Sequence, residues 1–175
     1  MSASNTPAWV GLAGVAIGFF LGEGSRYVRY RLDIRRNRKI IKSELQSILA
    51  QIPLKRDILQ QAIKHLKTRQ ILPTKSVHMV AVGYYSVLKD LYPHLKPVER
   101  NCLHVIFEHL RVAEELLDGF VDSIESAVKN KIISDPWVVF SDQLQDILGS
   151  YDQVENLIRS YLLGNPIDVF NIAKN

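Results

Sequence analysis

A single cysteine, Cys102, stands in a chain of 175 residues, which excludes an internal disulfide framework and a four-cysteine zinc site. With Leu103 beside it and Val105-Ile106 close by, it is expected to be a small buried apolar residue inside a helix. The sequence has no phosphate-binding glycine loop, dinucleotide fingerprint, HExxH, paired CxxC or nucleophile elbow, so the common catalytic signatures are missing. No repeat at a fixed period emerges, which argues against a solenoid. Two further gaps are more telling. Charge of either sign is absent from Pro7 to Gly22, and acids are absent between Asp57 and Asp90.

What is present is an ordinary globular composition, 47% hydrophobic and 23% charged, enough to bury a core. The net charge of +4 is concentrated in one place. From Arg26 to Lys42 stand eight basic residues, Arg26, Arg29, Arg31, Arg35, Arg36, Arg38, Lys39 and Lys42, against Asp33 alone; this gives +7 and leaves −3 for the rest. A basic stretch beside an uncharged one is explained by membrane topology, and bulk charge gives no case for binding double-stranded DNA.

The sixteen uncharged positions would extend about 24 Å as a helix, a little short of a hydrocarbon core of about 30 Å. Snorkelling of Arg26 and Arg29 and interfacial seating of Trp9, Tyr27 and Tyr30 would accommodate the difference. No lysine or arginine precedes the run, which favours an uncleaved anchor over a signal peptide. The expectation is a single-pass protein of a cell inner membrane, with its N-terminus outside and its C-terminus cytoplasmic, its six arginines from Arg26 to Arg38 facing lipid headgroups. Gly14, Gly18 and Gly22 recur every fourth residue with Gly11 on the same side, a small-residue face suited to helix contact and hence to a homo-oligomer. Glu23 is expected to stay solvated and to pair with Arg26 or Tyr27.

The whole chain reads as all-α: a membrane helix over residues 1–25, a basic helical stalk over 26–52, and a cytoplasmic bundle of four or five helices over 53–175. Ile41, Leu45, Ile48 and Ile52 form an apolar seam too short for an autonomous coiled coil, so it is a docking stripe. Past Pro53, helical spacing runs through Leu59 and Ile63 to Leu66. A further helix is expected from about Ser76 to Leu91, then one from Pro97 to about Lys129 with a bend at Gly119. A last one opens at the Asp135-Pro136 cap, with a weak point at Gly149 and a stop at Gly164-Asn165-Pro166.

Binding residues are sought in the acid-free interval. Lys64, Lys67, Arg69, Lys75 and Lys89 lie there with His65 and His78, and Lys75 and Ser76 mark the expected start of a helix, where free amides favour an anion. Lys64, Lys67, Arg69, Lys75, Ser76 and His78 are therefore the candidate contacts for an anionic small ligand such as a nucleotide, with Tyr84 and Tyr85 as aromatic surface for a base. The acids Glu114, Glu115, Asp118, Asp122 and Glu125 are read as a solvated outer face, or as a docking surface for a basic partner. His104 and His109, five apart, cannot chelate together, and His104 with Glu108 is read as surface hydrogen bonding; no metal or cofactor is expected.

The order of anchor, basic stalk and cytoplasmic domain resembles that of small bacterial membrane effectors, including the one-helix effectors of type III CRISPR defence that answer to cyclic oligoadenylate. The resemblance implies an antiviral effector responding to a nucleotide messenger and brings no residue assignments with it. The functional expectation is a non-enzymatic, self-associating, membrane-anchored sensor or effector that binds an anionic ligand or partner and relays it to its membrane helix. The alternative is a tethered adaptor or accessory subunit using the acidic helix or Ile167 to Phe170 to hold a protein partner.

Overall fold

A computed structural model describes residues 6–71, 79, 82–130 and 134–168, and the side chains among them from Gly14 onward except Ala16 and Val82. Every element among the described residues is helical: α1 (Thr6–Lys67), α2 (Val82–Leu91), a 3-10 turn (Tyr92–His94), α3 (Pro97–Leu117), α4 (Phe120–Asn130) and α5 (Pro136–Leu162). The chain divides into two compact units, residues 1–39 and 40–175.

Among the described residues no helix is long and apolar enough to cross a membrane. The uncharged run from Pro7 is diluted by glycine and ends against Glu23 and Arg26, and its first half lies outside the described side chains. The first unit carries side-chain contacts along one helix. Arg26 pairs with Glu23 at 2.9 Å, as the spacing predicts, and Arg31 donates to the Tyr27 hydroxyl at 2.9 Å while lying over that ring. Val15, Ile17, Phe19, Phe20 and Leu21 are all exposed, and a Cβ added at Gly14, Gly18 or Gly22 would meet nothing within 4 Å. Gly11 lies in the helix but outside the described side chains.

The second unit is a helical bundle. The stripe Ile41, Leu45, Ile48 and Ile52 is wholly buried, and α1 continues through Pro53, where the sequence suggests a break. Pro53 is exposed, so the carbonyl it leaves without a donor one turn back stays near water, while burial of Ile52, Leu59, Ala62, Ile63 and Leu66 on the inner side holds the helix together. α3 and α4 both pack on α5, and the core draws Cys102, Leu103, Ile106 and Leu110 from α3 and Leu144, Ile147, Tyr151, Val154 and Ile158 from α5. Burial pushes the Cys102 thiol up from its ordinary value, in keeping with an inert core residue.

Local sequence sets the helix ends. Pro97 opens α3, and the Glu99 carboxylate accepts the Lys96 amide at 2.7 Å. The expected single helix from Pro97 to Lys129 is instead two, because Asp118 is extended and Gly119 takes a left-handed φ of 67°, a break rather than a bend. Gly149 does not interrupt α5, which ends at Leu162, two residues before the left-handed Gly164. The start of the helix expected from Ser76 falls outside the described residues, and α2 is described from Val82.

Candidate functional site

Two cavities open in the second unit among the described residues. The first, about 440 Å³, lies where the last turn of α1 meets the first turns of α5. Its α1 side carries Leu66, Lys67 and Arg69; its α5 side carries Asp135, Trp137, Ser141, Asp142 and Gln145. Trp137, Ser141 and Gln145 follow one another at four-residue spacing and so share a helix face.

The α1 side is shaped by an unusual cap. The amide of Gln70 donates to the His65 carbonyl at 2.9 Å and that of Arg69 to the Leu66 carbonyl at 2.9 Å, the paired bonds of a Schellman ending. That ending needs a left-handed residue, and Arg69 occupies the place with φ 58°. For a residue with a Cβ this conformation costs roughly 1–2 kcal/mol, and glycine is the usual occupant. The cost is accepted here at a residue that lines the cavity. Lys67, one turn position earlier, is also exposed.

On the α5 side, Asp135 is the N-cap residue, but its carboxylate makes no capping hydrogen bond, in contrast to the cap read from Asp135-Pro136. Its Oδ1 is buried and without a partner. Ser141 is 5% exposed. Among the described residues neither Lys67 nor Arg69 pairs with Asp135 or Asp142, and Lys67, Arg69 and Asp142 are exposed to water at the cavity. Buried polar atoms are ordinarily satisfied, so the unpartnered Asp135 Oδ1 in the lining marks this space as a candidate ligand site.

The second cavity, about 290 Å³, is lined by Met79, Tyr85, Phe107 and Leu110 with Arg111, Glu114 and Glu115. Its charges are already engaged. Arg111 reaches Glu108 at 2.8 Å and Glu115 at 2.6 Å, and Arg111 holds the Glu108 carboxyl below its ordinary value. Glu114 is not on the outer face as the acidic run suggests: it is 6% exposed, takes an ion pair from Lys55 at 3.0 Å and accepts a hydrogen bond from Tyr151 at 2.9 Å. Burial, reinforced by Glu114, pushes the Tyr151 phenol above its usual range, so it remains a donor. Tyr84 is likewise no base platform, since it is buried and stacked on Phe107 at 3.6 Å between centroids; burial raises its hydroxyl to about 12. Tyr85 remains exposed.

Of the six candidate contacts drawn from the acid-free interval, the structure brings Lys67 and Arg69 to one cavity and leaves Lys64 exposed elsewhere on α1. Lys75, Ser76 and His78 lie outside the described residues. Trp137, Ser141, Asp142 and Gln145 were not singled out by sequence, although their spacing from a proline-marked helix start is a usable signal. Among the described residues no group of three His, Cys, Asp or Glu side chains could hold a metal ion. No protein-family model matches the chain, and neither a curated protein nor a solved structure does.

Proposed function

We propose that the chain is a non-enzymatic membrane-tethered module whose second unit binds an anionic ligand in the cavity between the end of α1 and the start of α5. The observation that carries this reading is Arg69, held in a left-handed conformation that favours glycine and lining, with Lys67, a cavity of about 440 Å³. Tethering is supported by the uncharged run from Pro7, the exposed Phe19, Phe20 and Leu21, and the arginines that follow. In this reading the N-terminus is extracytoplasmic, the second unit is cytoplasmic, and Gly14, Gly18 and Gly22 face a second copy of the helix.

The test is a thermal-shift and titration series on the full-length chain in detergent against inorganic phosphate, nucleotides and phosphorylated small molecules. A rise in melting temperature that Lys67→Met and Arg69→Gly each remove is the expected result. A flat response to every anion overturns the ligand reading. Periplasm- and cytoplasm-dependent reporters fused to the C-terminus test the orientation independently.

A further inference from the structure

The ligand can be narrowed, on the footing of the anionic-ligand reading of this same cavity. An anion alone would answer Lys67 and Arg69 and leave the other half of the ring opposed to it. Asp135 and Asp142 stand on the α5 side, and a simple phosphate entering between them and the cations would be repelled by both carboxylates. Asp135 Oδ1 is a buried acceptor without a donor, and Ser141 beside it in the lining is only 5% exposed. Acceptors of this kind are met by N–H groups, best by charged ones. Trp137 adds an aromatic face beside them, which attracts a cation.

We propose that the cavity binds a small zwitterion of the aminoalkyl phosphate class. Its phosphate is held by Lys67 and Arg69, its primary ammonium by Asp135 and Asp142 beside Trp137, and Ser141 hydrogen-bonds the polar group that reaches it. Two cations from the end of α1 and two carboxylates from the start of α5 around one cavity complement a dipolar molecule better than a singly charged one. The same chemistry is offered by a free aminoalkyl phosphate and by an ethanolamine lipid headgroup.

Titration calorimetry on the full-length chain in detergent, with phosphoethanolamine, inorganic phosphate and ethanolamine as separate probes, tests the assignment. Phosphoethanolamine should bind about tenfold or more tighter than phosphate, and Asp142→Asn, at an exposed position that leaves folding intact, should reduce the two to equal affinity. Lys67→Met should weaken both. Equal binding of phosphate and phosphoethanolamine by the wild-type chain overturns the zwitterion and leaves the anion reading standing; binding of neither overturns both. Competition by phosphatidylethanolamine vesicles, absent with phosphatidylglycerol vesicles, identifies the headgroup as the source, and its absence with both identifies a free molecule; each supports the proposal.

Discussion

The second unit holds two charged clusters built from the same helices and to opposite rules. At Lys55, Glu114 and Tyr151 the charges are buried and each has a partner on another helix, joining α1, α3 and α5 across the core. At Lys67, Arg69, Asp135 and Asp142 the charges ring a cavity; three of the residues are exposed to water, and Asp135 Oδ1 is buried without a partner. Removing charge from water is costly, so the paired buried cluster serves the fold, whereas charges kept in water around a cavity stay available to something that enters it. A third group, Arg56 with Asp152 and Glu155, lies between these limits. Arg56 bonds Glu155 at 2.7 Å and holds its carboxyl below the ordinary value, but much of the group is wet.

The largest effect should come from breaking the paired cluster. Lys55→Ala leaves Glu114 buried without its ion pair and should cost about 3–5 kcal/mol in urea-induced unfolding, without touching ligand binding in the other cavity. Tyr151→Phe removes one hydrogen bond to the same carboxylate and should cost roughly 1.5–3 kcal/mol. If Lys55→Ala unfolds no more easily than wild type, the cluster is not the tie assigned to it.

At the cavity cluster the sign should reverse. Arg69→Gly releases the left-handed strain, and unfolding should show a gain of about 1 kcal/mol even as anion binding is lost. Stability and function then move in opposite directions at one residue. A destabilised Arg69→Gly protein would show that the guanidinium itself holds the turn, and the comparison between the clusters would lose its force.

The smallest effect concerns Glu44, which is half paired: Oε1 accepts the Gly83 amide at 2.9 Å, and Oε2 is buried without a partner. Burial raises its carboxyl above the usual 4.5, opposed by the amides of Gly83 and Tyr84. The folded state therefore holds this proton more tightly than the unfolded chain, and the stability it contributes is full below 4.5 and declines as pH rises through the raised value. Melting temperatures of wild type and Glu44→Gln, measured from about pH 4 to 7, should differ most at the upper end, in favour of the glutamine. Parallel profiles would place Glu44 in a wetter setting than its hydrogen bonds indicate.

Spacing alone made much of the bundle legible. The seam from Ile41 to Ile52 and the buried Cys102 follow from apolar periodicity, a local property that survives any packing arrangement. The same reasoning misplaced Glu114, because five acids at helical spacing suggest one wet face, while the partners that draw one of them inward lie 59 and 37 residues away. Pro53 and Gly119 show the limit from the other side. Each is a helix breaker by propensity, yet core contacts on both sides carry the helix through Pro53, and at Gly119 the preceding extended residue completes the break.

What the sequence by itself determined is the helical class, the charge asymmetry and the uncharged run, since these depend only on residue type and spacing. The binding cavity was half visible there: the acid-free interval pointed to Lys67 and Arg69 but could not say what faces them. That was decided by the packing of α5 against the rest of the bundle, which sets Trp137, Ser141 and Asp142 opposite a turn more than sixty residues earlier in the chain. Periodicity reports which residues share one helix face, and only tertiary contact determines which faces meet across a cavity and which charges are left without a partner.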